Sequence, residues 1–475
     1  MEGLVERYLP SGDSIKQLRL ELNFTMKIIL LLIDAILTLS VGAVFFLWVL
    51  IYYIFSRKAK FSARRMFAFE MSYTLEAIRK RKLEVQYTSR DIGGYFEKVC
   101  HIHPLATINA PEALKYGKPS ITPIHERHFF IEGKIGQFKF LKLFNLFNYL
   151  VAQFYLYLLL RQLIKTERIS VIWTGDPLYL GMFGLVLART TGLPVLVQAN
   201  ANNDKIFENT GHPMMPRLFH RRWIEKIIER YVFKHADIVA GGNLDNLNFC
   251  LNNGARRDYS TVLPITNSIH YTHFMMPDER ANQNHILGEL RLLRKSFALF
   301  IGRLEGSKFP EHFLMVLAEI KKMGHTLPGL FIGDGRMKRD LLKMATEFGM
   351  ANEIVFAGER DQEWIASVIP CAKVFIAPLS GRALLEASLG ALPIIAYDVD
   401  WHSVLVKTGK TGELVEYRDW KAMAESTMKY LKDPEYAELM GRNIRKAALG
   451  MMDSVKLSQH ERNEYDKLFA RYFSE

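Results

Sequence analysis

The sequence predicts an α/β protein of two consecutive doubly wound domains, preceded by one apolar helix. Three observations carry this reading. Short apolar, β-branched runs that end in Gly, Pro or Asp alternate with helical periods from Met66 to Tyr397. A polar, His/Asn/Pro-rich stretch divides them into two series. Ahead of both stands Ile28–Phe55, apolar on every face.

Composition narrows the class. The chain has 475 residues, and at roughly 150 residues per domain that gives about three modules. A hydrophobic content of 49% with 24% charged residues excludes a disordered or collagen-like chain. Cys100, Cys250 and Cys371 are too far apart for a disulfide framework or a CxxC zinc site, and fit a reducing, cytoplasmic setting. The net charge of +12 admits nucleic acid, an anionic membrane or a phosphorylated substrate, and the placement of the charges decides among them.

The tail, residues 1–27, carries four acidic and four basic side chains. The next segment, 28–55, is broken only by Asp34, Thr38 and Ser40. As a helix it exceeds the roughly 30 Å hydrocarbon core, and Trp48, Tyr52 and Tyr53 suit its headgroup end. Arg57, Lys58, Lys60, Arg64 and Arg65 follow with no acid among them, which places everything after residue 56 in the cytoplasm by the positive-inside rule. The run is about twice the usual 7–15-residue core of a signal peptide and lacks a small-residue cleavage site. The expectation is a single-pass N-terminal anchor with cytoplasmic domains. A second apolar stretch, Phe138–Lys165, interleaves Lys139, Lys142, Gln153 and Arg161 with eight aromatics, and suits an interfacial helix and a core helix equally.

The first domain is expected over 56–270. Strands are expected at Met66–Ser72, Val99–His103, Ser170–Trp173, Leu193–Gln198 and Ala236–Ala240. Helices are expected at Thr74–Lys82, Gly181–Arg189 and Pro216–Lys234, while 104–134 reads as loop. A linker, 271–295, leads to the second domain, 296–454. There, strands Phe297–Gly302, Pro328–Ile332, Ile354–Ala357, Val374–Ala377 and Leu392–Tyr397 alternate with helices, and residues 455–475 form a last amphipathic helix. Two such domains in succession make a ligand in a cleft between their sheets the default expectation.

Candidate chemistry gathers after the second domain's strands. Arg303 and Lys308 lie just past a strand beside Gly302 and flexible Gly306, a fork and a point charge suited to a diphosphate. Gly333-Asp-Gly335 is a fragment of a phosphate turn or simply a tight turn. Ser380-Gly381-Arg382 opens a helix whose first N–H groups suit an anion, and Glu386, one turn in, suits ribose hydroxyls.

The order Gly302-Arg-Leu…Lys308, Gly333-Asp-Gly335, Val374-Phe-Ile-Ala-Pro378…Leu385-Glu-Ala387, Pro393-Ile-Ile-Ala396 and Thr408-Gly-Lys-Thr-Gly-Glu-Leu-Val415 resembles the C-terminal half of glycosyltransferase family 4, retaining enzymes of the GT-B fold. Upstream, Glu229–Val239 and Val262-Leu-Pro264…Asn267-Ser-Ile-His270 resemble the segments ahead of its interdomain linker. The resemblance implies that Arg303 and Lys308 hold the donor diphosphate and stabilise the leaving nucleotide, and that Glu386 is the second Glu of the E-x7-E motif, on the ribose. It also implies two facing Rossmann-like domains, with the last helix returning to the first. Three departures stand out. Pro378 replaces the first Glu of E-x7-E, whose donor-sugar contact would pass to amides around Ser380–Arg382. Asn200 stands where many members carry His, and the Gly-Gly loop is matched only by Gly93-Gly94, some twenty residues late.

The implied reaction is retaining transfer from a nucleotide sugar, without cofactor or metal, to a membrane-associated acceptor, a lipid-linked glycan or a polysaccharide. Two fixed cations stabilise the charge that develops on the leaving diphosphate. Asp176 is a weak acceptor-contact candidate against a turn-forming Asp-Pro. Asp398-Val-Asp400 mimics a DxD metal motif but reads as a cleft loop. His101-Ile-His103 and His125-Glu-Arg-His128 have the wrong context or spacing for zinc. Membrane lipids are expected partners and nucleic acid is not. An inactive assembly partner or a sugar-nucleotide epimerase of the same fold are the competing readings.

Overall fold

A computed structural model describes residues 24–60, 63–71, 73–81, 83–216, 218–264, 269–280, 284–399 and 401–474. Residues 1–23 of the expected tail lie outside the described residues, as do Ser72, Asn267, Ser268 and Asp400. The described chain forms two compact units: residues up to 79, 87–264 and 458–474, and residues 80–86 with 269–457.

The first unit is an eight-stranded sheet of β1 (Arg65–Phe69), β2 (Lys98–His103), β3 (Ser120–His125), β4 (His128–Glu132), β5 (Val171–Thr174), β6 (Val195–Ala199), β7 (Ile238–Gly241) and β8 (Ser260–Val262). Their order is β3-β4-β2-β1-β5-β6-β7-β8, and only the β3–β4 pair is antiparallel. In β5, β6 and β7 every residue is buried, as near-continuous apolar runs covered on both faces require. β1 sits at the centre, Phe67 opposite both Cys100 and Ile172.

The stretch expected as loop over 104–134 holds the β3–β4 hairpin. β3 alternates exposed and half-buried residues and contains Pro123, which only an edge strand tolerates, so its apolar signal was weak. Phe138–Lys165 divides into a short turn and the helix Asn145–Thr166. Leu156, Tyr157, Leu160 and Ile164 on that helix are buried in the main core, so it is a core helix. The helix expected from Pro216 begins at Arg222, whose guanidinium pairs with Glu229 at 2.7 Å, Asp204 at 2.8 Å and Glu225 at 3.0 Å.

The N-terminal apolar segment is one helix, Phe24–Ile54, long and apolar enough to cross a membrane. At the other end of the chain, helix Ser454–Phe473 sends Tyr465, Leu468 and Phe469 into a cluster with Met66, Phe96 and Trp173. Its Asp466 accepts hydrogen bonds from Tyr95 at 2.7 Å and Arg64 at 3.0 Å.

The second unit is a parallel sheet of β9 (Ala298–Ile301), β10 (Gly329–Ile332), β11 (Ile354–Phe356), β12 (Val374–Ala377), β13 (Ile394–Tyr397) and β14 (Glu413–Val415), ordered β11-β10-β9-β12-β13-β14. That is the doubly wound dinucleotide-fold order, with the direction of winding reversing between β9 and β12. The expected linker, 271–295, is corrected here. Ile286, Leu287 and Leu292 are buried with Phe297, Ile369 and Leu389 in this unit's core, and Arg280 donates to Leu389 O at 2.7 Å. A few apolar residues in a polar stretch suffice to bury it.

Candidate functional site

In a parallel sheet all strand carboxyl ends share one edge, and ligands bind where the winding reverses. In the second unit that edge collects 302–308 after β9, 333–335 after β10, 378–382 after β12 and Asp398 after β13. The sequence-predicted donor residues are therefore brought together.

Arg303 is exposed, and its guanidinium makes no hydrogen bond or ion pair among the described residues. Its loop is nevertheless held. Glu305 accepts from Arg336 Nε at 3.0 Å and Nη2 at 2.8 Å, and that pairing keeps the Glu305 carboxyl below its ordinary range. Leu304 N donates to Asp334 O, and Met337 N to Leu304 O, each at 3.0 Å. Gly333 and Gly335 make this approach possible. A Cβ on Gly333, at φ +135, would stand 2.0 Å from Gly302 O, and one on Gly335 would stand 2.4 Å from Leu304 O. These two glycines let one loop lie on another, so close backbone packing decides their identity.

Across the switch point, Ser380-Gly381 leads into helix Arg382–Leu389. Glu386 is buried, and Arg382 Nε stands 2.8 Å from its Oε1. The pair is close but misaligned: Oε1 has no hydrogen-bond partner among the described residues. A buried carboxylate oxygen with an unmade bond suits a ligand hydroxyl. Sequence reasoning missed His402, a lone His after β13 with no motif around it. Fully buried, it places Nδ1 3.0 Å from Tyr397 O and Nε2 2.8 Å from Ser380 O. Burial lowers its pKa to about 4, so a neutral ring braces the Ser380 turn. Asp398 is exposed, its backbone N–H bonded to Val415 O at 2.7 Å.

In the first unit, Asp176 and Asn200 meet at the same edge, after β5 and β6. Asn200 Nδ2 donates to Gly175 O at 3.0 Å. Asp176 Oδ1 accepts from Leu178 N at 2.7 Å, while Oδ2 is buried with no hydrogen-bond partner among the described residues. Burial raises the Asp176 pKa to about 7, against the pull of the Leu178 and Leu180 N–H groups. Beside it lies a cavity of about 210 Å³ lined by Met71, Leu105, Met214, Met215 and Leu218 among others, which no sequence motif marked.

Gly93 and Gly94 are corrected. Their turn leads into β2 and so lies at the amino edge of the first sheet, opposite the ligand edge. Both have positive φ, and Arg462 of the last helix donates to Ile92 O and to Gly93 O at 3.1 Å. They seat the last helix. The two His motifs converge instead on a buried chain, with His101 Nδ1 3.1 Å from Glu70 Oε1 and His101 Nε2 3.0 Å from His128 Nδ1.

Residues 287–447, within the second unit, match the family described as Glycosyl transferases group 1. Alpha-D-kanosaminyltransferase of Streptomyces kanamyceticus is 26% identical over 174 residues, 36% of this chain and 45% of that one. The Escherichia coli UDP-Gal:alpha-D-GlcNAc-diphosphoundecaprenol alpha-1,3-galactosyltransferase is 24% identical over 314 residues, 62% of this chain and 75% of that one. The chain thus spans less than half of the first relative and three quarters of the second. Sucrose-phosphate synthase from Thermosynechococcus elongatus superposes with a TM-score of 0.67 at 16% identity, over 86% of this chain and 100% of that one. This likeness shows the GT-B fold.

Proposed function

We propose that this protein is a membrane-attached, retaining glycosyltransferase that moves a sugar from a nucleotide-sugar donor to a lipid-linked glycan or polysaccharide. The observation that carries the reading is the second unit's switch point, where Arg303, Lys308 and the open Glu386 oxygen gather on one sheet edge. Arg303 and Lys308 take the diphosphate and Glu386 the ribose. As the glycosyl–phosphate bond breaks, charge grows on the leaving diphosphate, and cations already in place stabilise it without a metal. The acceptor oxygen bonds to the anomeric carbon on the leaving-group face, and its proton passes to the departing phosphate. Pro378 removes the carboxylate that would hold the donor sugar, and the backbone of Ser380–Arg382, braced by His402, takes that contact.

Asp176, Asn200 and the adjoining apolar cavity of the first unit take the acceptor. The Escherichia coli relative, by name, acts on a diphosphoundecaprenol-linked sugar, which supports a lipid-linked acceptor here. The apolar N-terminal helix supports membrane attachment.

The test is a panel of nucleotide sugars offered to purified full-length protein with and without membrane extract. Nucleotide release that needs the extract and is lost in Arg303→Ala is expected. Failure of every donor to bind or turn over sinks the enzyme reading, and an isomerised donor formed without acceptor favours the epimerase.

A further inference from the structure

Asp34 lies in the most apolar segment of the chain and is the residue best hidden there. It is 4% exposed, while Ile36 is 62% and Leu39 74% exposed. Its carboxylate accepts from Leu146 N at 3.1 Å and Phe147 N at 3.0 Å. These are first-turn donors of helix Asn145–Thr166, whose own N-cap, Phe144, offers no side-chain bond. Asp34 is therefore a helix cap supplied from a second helix, where a negative charge also meets the positive end of the dipole.

The contact continues. A Cβ on Gly42 would meet Leu150 at 3.5 Å, Phe45 stacks on Phe154 at 3.7 Å between centroids, and Tyr52 lies under Arg161 at 3.4 Å. Positions 34, 38, 42, 45, 49 and 52 form one stripe at helical spacing, and every one is buried or half-buried. The two helices run side by side in the same direction over 18 residues of the first, about 27 Å at 1.5 Å per residue.

The second helix belongs to the globular body. Asn148 bonds the backbone of Gln137 and Phe138, and Gln153 donates to Lys134 O at 3.0 Å. That bond sets the Lys134 backbone beside Phe154 and hence near the level of Phe45, and Lys134 forms an ion pair with Glu132 at 2.7 Å. A crossing needs about 20 residues in hydrocarbon, and any such window within 28–54 includes Phe45. Upright insertion would draw this ion pair and its surrounding backbone to the same depth, at high cost.

We propose that the N-terminal helix lies in the plane of the bilayer, in one leaflet, as a shelf fastened along the flank of the first unit by Asp34. This rests on the membrane attachment proposed above and replaces the single crossing expected from length alone. The occupant of the outward face is an anionic leaflet. Leu39, Phe46 and Ile54 are 74%, 65% and 62% exposed on the helix, and Phe140 is 78% exposed on the neighbouring turn. Lys27 in the first turn of the helix and Arg57 just past its end bracket the apolar run, and Lys139 and Lys142 stand on either side of Phe140, where they suit anionic headgroups.

The test is side-selective labelling of full-length protein in sealed, inside-out membrane vesicles from expressing cells. The native cysteines are buried, so background labelling is low. Lys27→Cys reports the amino end of the helix, and Lys446→Cys reports the side on which the second unit lies. An impermeant maleimide labelling both to the same extent is the expected result. Loss of Lys27→Cys labelling until detergent opens the vesicles overturns the in-plane helix while leaving attachment intact. Absence of the wild-type chain from vesicles of equal parts phosphatidylglycerol and phosphatidylethanolamine on flotation overturns attachment and the shelf together.

Discussion

Arg382 Nε stands 2.8 Å from Glu386 Oε1, one helical turn along, yet leaves that buried oxygen without a hydrogen bond. The carboxylate is charge-compensated but still has an acceptor site to offer. Glu386→Gln keeps the shape and replaces an acceptor-only group with an amide. Donor affinity, measured calorimetrically with the nucleotide alone, is expected to fall about tenfold, from a lost charged hydrogen bond of roughly 1.5 kcal/mol. Unchanged affinity would remove Glu386 from the ribose site.

Arg303→Ala and Lys308→Ala are expected to lower kcat by about 10²–10³-fold each, the usual loss for a group aimed at developing charge. Arg303 is exposed and makes no side-chain bond among the described residues, so its removal should leave Tm unchanged. A fall in Tm to match the activity loss would indicate a structural role.

Gly333→Ala is expected to destabilise the protein by about 1–3 kcal/mol and to weaken nucleotide binding. The new Cβ would meet Gly302 O at 2.0 Å and so move the loop that carries Arg303. Chemical denaturation alongside nucleotide titration checks both effects.

With its pKa raised to about 7, Asp176 ionises in the folded state only near neutrality, whereas its ordinary value is 3.8. Charging it works against folding as pH rises from 3.8 through 7. Asp176→Asn should therefore gain Tm relative to wild type at pH 8 and not at pH 4. Its transfer to acceptor should fall while nucleotide binding holds. Equal loss of both would sever Asp176 from the acceptor.

His103, His128, His273 and His402 all have pKa values lowered to about 4, first by burial. Between pH 6.5 and 4 the unfolded chain takes up protons that these folded rings refuse. Stability is intact above 6.5 and falls as pH drops through that window, by up to about 1.4 kcal/mol per pH unit for each ring. Thermal melts from pH 7 to pH 4 check this, and His103→Phe, with one ring fewer to protonate, should show a shallower slope.

The second sheet was readable from residue order because its central strands are buried on both faces, so Phe297–Gly302 and Val374–Ala377 read as continuous apolar runs. β3 was not, since an edge strand with one wet face alternates weakly and admits Pro123. The common edge on which Arg303, Lys308, Ser380 and Glu386 lie was readable because each comes after a strand end in a parallel sheet, and parallel strands share that edge. Gly93-Gly94 misled because two glycines announce a turn without saying at which edge it lies. His402 and the methionines beside Asp176 had no local pattern, since they are defined only by what packs against them.

Sequence alone determined that residues 28–55 form an apolar helix, that two doubly wound domains follow, and that Arg303 and Lys308 stand just past the second domain's first strand. These are properties of period and order along the chain. Tertiary structure decided that Asp34 is buried as a cap for a helix more than a hundred residues later, that Gly93-Gly94 seats the last helix, and that Glu386 keeps an open oxygen. The first two depend on a partner distant in sequence and the third on side-chain alignment within one turn, and the cost of burying a charge or a backbone group unpaired is settled only when the partner is in place.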